Sequence, residues 1–234
     1  MLVIIMTNGH TGGAELPPKA LTKPQERQEI RRQQRLAQLL VVASQQFAIK
    51  GYEAATLDMI AREMGLTKTG LYNYVHSKEE IAALILEGAI THLSESLVAI
   101  EGKTADPREI LHQIIAEHVE SLAHHPASPL LIMHFDQILD PETFPDLYAL
   151  RHRYEIQLRG VIERGIRQGE FAVDDPKLAS LFLLGAVNWI ARWFPAGQDD
   201  PGLSAGYVGQ WFAQVIVGGL RSPDSSAGEG KVEQ

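Results

Sequence analysis

Within LTKTGLYNYVHSKEEI, residues 66 to 81, the side chains able to hydrogen-bond are crowded together: Thr67, Lys68, Thr69, Tyr72, Asn73 and Tyr74 fall in eight consecutive positions. Such groups offer donors to phosphate oxygens and both donors and acceptors to base edges. Taken alone, a short polar stretch with tyrosines reads as a solvated surface turn. Its flanks decide what it is for.

Upstream, Leu57, Ile60, Ala61 and Met64 recur at helical spacing after Thr56, and Gly65 stops that helix after barely two turns. Thr67 caps a second short helix through Tyr74 or Val75, and Ser77 with Glu80 forms a capping box for a long third. Before them all, Leu36, Leu39, Leu40, Ala43 and Phe47 mark a helix from about Ile30 to Lys50, with Gly51 closing it in a left-handed conformation. Two short helices about the turn MGLT, packed on a longer one, are the parts of a helix-turn-helix. The second short helix is then the reader, with Leu71 as its apolar anchor and a face narrow enough for a major groove ~12 Å wide.

Chemistry suggests a role for each residue on that face. Thr56 and Thr67 sit at helix N-termini, where free N–H groups favour a phosphate. Tyr72 and Tyr74 reach phosphates through their hydroxyls while Lys78 supplies a salt-dependent contact. Lys68, Thr69 and Asn73 are placed for base edges, and Gly70 lets the backbone approach closely.

The net charge of −8 taken as a sum argues against a nucleic-acid partner, but its distribution does not. Residues 1 to 80 hold 10 Lys+Arg against 8 Asp+Glu, whereas 81 to 234 hold 11 against 21. Arg27, Arg31, Arg32 and Arg35 cluster just before the first apolar run.

Other chemistries lack their signatures. His118 and His125 stand at i, i+7 with His112, His124 and His134 nearby, yet no H-x-x-x-H or H-E-x-x-H spacing occurs, so no metal is expected. A serine hydrolase would need G-x-S-x-G and strands to hold it; no catalytic residue, and no enzyme, is expected. The absence of cysteine excludes disulfides and thiolate metal sites and suits a cytoplasmic protein. The longest apolar run, LFLLGAVNWIA from Leu181, is shorter than the roughly 18 residues of a membrane span, so no membrane partner is expected. The opening MLVIIM lacks a basic residue before it and reads as an unstructured lead or a start upstream of Met6.

Period-3.6 patterns recur from residue 30 to 220 and no sustained alternation is present, which predicts an all-α chain. Asp106-Pro107, Ser128-Pro129, Asp140-Pro141 and Asp175-Pro176 each place a capping oxygen before a proline. Further helices are expected near 107 to 124, 129 to 139, 144 to 168, 176 to 194 and 203 to 220, giving about nine in all.

The stretch ATLDMIAREMGLTKTGLYNYVHSKEEIAALIL resembles the DNA-binding region of the tetracycline-repressor (TetR) family, over roughly residues 28 to 90. That family more often has an aromatic residue at the Val75 position and an aromatic or histidine at Asn73. Residues 167 to 220 are similar, more weakly, to members controlling lipid, steroid and aromatic-acid catabolism, a branch that commonly senses acyl-CoA thioesters. The resemblance implies a homodimeric, ligand-responsive regulator, a repressor of a palindromic double-stranded operator. A multidrug-sensing repressor, or a dimerisation module or enzyme retaining the fold, are the alternatives.

The remaining assignments follow from that frame. A DNA-binding domain is expected over 25–80 and a ligand-binding and dimerisation domain over 81–222, with disordered ends at 1–24 and 223–234. Leu111, Ile115, Leu122, Met133, Phe135, Tyr148, Trp189 and Trp193 would line a pocket for an acyl, steroid-fragment or aromatic group, with Arg151, Arg153 or Arg192 meeting phosphates of an acyl-CoA effector. Phe182, Gly185, Val208, Trp211, Phe212, Val215 and Ile216 form the expected dimer seam, since helices 176 to 194 and 203 to 220 carry more aromatic surface than one small subunit hides. Core packing is the plainer reading of the 176 to 194 stripe, and a solvated face that of most arginines between 151 and 164.

Overall fold

The computed structural model describes residues 23–124, 127–194 and 203–221. Within them lie α1 (Lys23–Lys50), α2 (Leu57–Glu63), α3 (Lys68–Leu71), α4 (Lys78–Glu101), α5 (Pro107–His124), α6 (Ser128–Met133), α7 (Phe135–Ile138), α8 (Pro145–Arg167), α9 (Pro176–Ile190) and α10 (Ala205–Leu220). No strand occurs among the described residues, only an isolated bridge between Phe171 and Arg221. The expected tails at 1–24 and 223–234 lie almost wholly outside these residues.

Local chemistry sets most boundaries. Thr56, Thr67, Ser77, Asp175 and Ser204 cap α2, α3, α4, α9 and α10, each accepting from a backbone N–H two or three residues on. At α4 the expected box closes one residue early: Ser77 Oγ accepts from Glu80 N at 3.0 Å, while the Glu80 carboxylate accepts from His76 N at 2.6 Å. Gly51 and Gly65 adopt φ of 81° and 63°, and Leu66 N donates to Ala61 O at 2.8 Å, wrapping the chain out of α2 and into the turn.

Four expectations need correction. α1 starts at Lys23, well before Ile30, because residues 23 to 34 are good helix formers even without an apolar face. The segment expected as one helix at 129 to 139 breaks at His134 (φ −111°, ψ 20°) into α6 and α7, making ten helices among the described residues. Asp140 opens a turn instead of a helix: its carboxylate accepts from both Thr143 N and Thr143 Oγ1, and α8 begins at Pro145. The reader helix is a single turn, Lys68–Leu71, and residues 72 to 74 continue it as a turn.

α1 to α3 and the first turn of α4 enclose Leu39, Ala43, Phe47, Ile60, Leu71, Val75 and Ile81, all essentially inaccessible. α4 runs unbroken past residue 80, and its later residues Leu86, Ile90, Leu93 and Leu97 join the core shared with α5 and α8. α4 is also the one described helix long and apolar enough to cross a membrane by length and composition, and here its apolar face is the centre of the bundle. α10 lies closest to α5, where Gly209 sits so near Ala116 that an added Cβ would come within 3.1 Å of its backbone.

Candidate nucleic-acid interface and ligand cavity

Two threonine caps frame the helix-turn-helix. Thr56 Oγ1 accepts from Met59 N at 3.3 Å and Thr67 Oγ1 from Gly70 N at 3.1 Å, so each hydroxyl keeps its proton for an outside acceptor. Thr67, Lys68, Thr69, Tyr72 and Asn73 are exposed together on and just after α3. The Lys68 ammonium lies 3.3 Å from the Asp58 carboxylate, an exposed pair that a stronger anion can displace at little cost. At half-buried Gly70 a Cβ would press on Thr67 Oγ1 at 3.3 Å, so the missing side chain also protects the cap.

Two residues differ from their expected placement. Tyr74 is half-buried against the core, not free on the outer face. Lys78 is turned inward: its ammonium donates to Tyr52 O at 2.8 Å and Glu53 O at 3.3 Å and lies over the Tyr52 ring at 4.2 Å. Burial and the Glu79 carboxylate push the Tyr52 phenol well above its ordinary pKa. Lys78 thus ties the start of α4 to the segment between α1 and α2, a role that spacing alone did not suggest. Arg62, exposed beside Asp58, Leu66 and Lys68, borders the same face and was not singled out from the sequence, although a cation in the last turn of α2 was visible there.

The second site is a cavity of about 500 Å³ built by α4, α5, α6, α8 and α9. Leu86, Ile90, Leu93, Leu122, Leu181 and Leu184 supply apolar wall, and Arg151, His152 and Lys177 supply cationic or ionisable groups. Of the expected ligand residues, Leu122, Tyr148 and Arg151 line it. Tyr148 is fixed by its hydroxyl, whose single proton is shared between Leu139 O at 2.9 Å and Asp136 Oδ1 at 3.0 Å. Arg151 stacks 4.7 Å over the Phe135 ring with Asp136 3.5 Å away.

The other expected ligand residues lie elsewhere. Leu111, Ile115 and Phe135 are buried in the core, Met133 is half-buried, and Arg153, Trp189, Arg192 and Trp193 are exposed. The apolar residues missed came chiefly from α4 and α9, whose stripes read from sequence only as core or seam, and the rest are chiefly polar groups facing inward. His118 is buried beside the Asn188 carboxamide, and burial pushes its pKa down to about 4, so it is neutral at pH 7. The Tyr154 hydroxyl and Asn188 Oδ1 are buried without a hydrogen-bond partner among the described residues, and burial pushes the Tyr154 phenol up. Glu155 is buried but satisfied, accepting from Ser180 Oγ at 2.6 Å with Arg159 3.8 Å away.

α9 and α10 divide the expected seam between two faces. Val208 and Ile216 are buried against the subunit's own helices, and Phe212 is half-buried. Gly185 and the side chains of Phe182, Trp211 and Val215 are exposed, joined by Leu178 and Trp189. Trp193 stacks on Phe212 at 6.3 Å, linking the two helices on this outer side.

Residues 39–85 match the model for bacterial regulatory proteins of the tetR family, and 104–220 match that for a tetracyclin repressor-like C-terminal domain. The HTH-type transcriptional repressor KstR2 of Rhodococcus jostii is 29% identical over 192 residues, covering 81% of this chain and 92% of its own. The structure of the ketosteroid transcriptional regulator KstR2 of Mycobacterium tuberculosis superposes with a TM-score of 0.70 at 27% identity, over 81% of this chain and 96% of that one. The regulator PfmR of Thermus thermophilus gives 0.66 at 32% identity, over 79% and 99%. With both halves matched and the helix-turn-helix in place, the chain belongs to the TetR family and is a DNA-binding transcriptional regulator, not an enzyme.

Proposed function

We propose that this regulator is a cytoplasmic homodimeric repressor, released from a palindromic operator by a hydrophobic anionic effector of the acyl-CoA thioester class. The observation that carries the reading is the cavity of about 500 Å³, within the usual range for small-molecule sites, whose apolar wall is formed in part by α4. An acyl or fused-ring group fits that wall, while Arg151 and Lys177 suit the phosphates of the CoA portion. The similarity to KstR2 repressors supports an effector drawn from steroid or related catabolism.

α4 supports the coupling as well. Its first residues pack on the helix-turn-helix and Leu86, Ala89, Ile90 and Leu93 line the cavity, so a ligand that displaces α4 moves the reader with it. Release then requires only that the effector bind more tightly to a subunit arrangement unsuited to the operator. The exposed apolar face of α9 and α10 supports a two-fold pairing of subunits, which would set the two α3 helices on half-sites about 34 to 36 Å apart. Thr67, Lys68, Thr69, Tyr72 and Asn73 would meet the operator, with Asn73 and Lys68 at base edges.

Buried Glu155 in the cavity lining favours the rival reading, a multidrug sensor for cationic hydrophobes. Acyl-CoAs of several lengths, free CoA, free acids and cationic hydrophobes should be compared for melting temperature and for release of a duplex selected from a random pool. A thioester at a hundred times its Kd should stabilise by about 2.7 kcal/mol and release the duplex. If only the cations do both, the multidrug reading replaces this one.

A further inference from the structure

The first twelve of the 28 residues of α1 contribute no side chain to the core of the described residues. From Lys23 to Gln34 every residue is exposed except half-buried Glu29, and the first fully buried residue is Leu39. Good helix formers propagating from the packed part of α1 account for its helical form, which leaves its exposed side chains with no task in the subunit's core. It also lies outside the matched stretch 39–85, so family membership assigns it no role.

Its charges are ordered. Lys23, Arg27, Arg31 and Arg35 recur every four residues and so form one slowly winding row along the helix. Glu29 projects from the other side, where it accepts from Gln33 Nε2 at 3.3 Å. The fourth member fixes the direction in which the row points: Arg35 Nη2 donates to Met64 O at 3.0 Å, on the last residue before the Gly65 turn that leads into α3. The row therefore begins against the helix-turn-helix and runs outward from it. Lys23, Arg27 and Arg31 have no ion-pair partner among the described residues, within a chain whose net charge is −8.

We propose that this row is a second DNA contact, in which Lys23, Arg27 and Arg31 bind backbone phosphates beyond the groove entered by α3. At 1.5 Å per residue Lys23 lies about 18 Å along the helix from Arg35, farther than the ~12 Å width of a major groove. The row thus reaches phosphates that the one-turn α3 does not. Contacts of this kind carry no sequence information and add affinity to any duplex equally. The proposal rests on the DNA-binding reading of the helix-turn-helix, and the test separates the two.

The full-length protein, an R27Q/R31Q variant and an R27K/R31K variant should be titrated with a selected operator and an unrelated duplex at several salt concentrations. Glutamine keeps helix propensity and removes charge, so folding, read by melting temperature, should be unchanged. Loss of two phosphate contacts per subunit, four per dimer, should lower the slope of log K against log salt by about 3.6 and weaken both duplexes by the same factor, on the order of a hundredfold. The lysine variant should retain the slope. An unchanged slope in the glutamine variant, with the unmodified protein binding normally, overturns the second contact and leaves the helix-turn-helix reading intact. Weakening confined to the operator overturns it also, because that would be base reading. If the unmodified protein binds neither duplex, both readings fail.

Discussion

The side chains proposed to meet DNA come from 18 consecutive residues, Thr56 to Asn73, whereas the cavity gathers its lining from five helices spread between Leu86 and Asn188. The first region takes its form from caps and stops that act over three or four residues, and its outward groups touch little of the core. The second has no local definition: each lining residue also belongs to a helix packed on others. Substitutions on the first surface should therefore alter recognition with stability intact, and substitutions in the second should couple binding to folding. The outer face of α9 and α10 belongs with the second, since in the proposed dimer its exposed apolar groups would pack against another copy.

The largest expected effect comes from that outer face. Val215 is 51% exposed in one subunit, so Val215→Glu should leave the subunit folded while placing an unpaired charge in the proposed seam, at a cost of several kcal/mol. Sedimentation should show a monomer, and operator affinity should fall a hundredfold or more. A stable dimer with normal operator binding would place the interface elsewhere.

Next in size is the acid response of the cavity. His118 has its pKa lowered by burial to about 4 from an ordinary 6.5, so the folded state holds fewer protons than the unfolded state between those values. Stability present at neutral pH is lost as pH falls from about 6.5 toward 4, by about 3 kcal/mol in total. Urea unfolding of His118→Gln at pH 7 and pH 4.5 should show that part of the difference removed. Equal losses in both proteins would assign the acid response to other groups.

On the reading face, Asn73→Ala should weaken operator binding by roughly 1 to 3 kcal/mol, relax preference at one base position, and leave the melting temperature unchanged. Uniform weakening on all sequences would make Asn73 a backbone contact. The smallest effect is at Lys78, where alanine removes a charged donor from two carbonyl groups and should cost about 1 to 2 kcal/mol of stability with the salt slope of DNA binding nearly unchanged. A slope reduced by about 1.8, one contact per subunit, with full stability would return Lys78 to the phosphate backbone.

How far the sequence was legible follows the same division. Thr56, Thr67, Ser77, Gly51 and Gly65 were readable because a cap or a left-handed turn is a property of a few adjacent residues. Lys78 was not, because its partners are the Tyr52 and Glu53 carbonyls some 25 positions away. On α10 the apolar positions were found but not their direction: Val208 and Ile216 turn toward the subunit's own helices while Trp211 and Val215 turn outward. Periodicity identifies an apolar arc and cannot say which neighbour covers each edge of it. Trp189 and Trp193 were assigned to the pocket on size and hydrophobicity, but α9 presents Leu184, Gly185 and Asn188 to the cavity and leaves the tryptophans at the surface.

The coupling of cavity to reader is tested most directly by titrating a medium-chain or ring-bearing acyl-CoA into the protein–operator complex while following fluorescence anisotropy of the labelled duplex. Leu184→Trp, which fills the cavity, serves as the control. The account predicts release from the unmodified protein at effector concentrations that also raise its melting temperature, and retention of operator by Leu184→Trp at the same concentrations. Release from both proteins alike, or stabilisation of the unmodified protein without release, would contradict it.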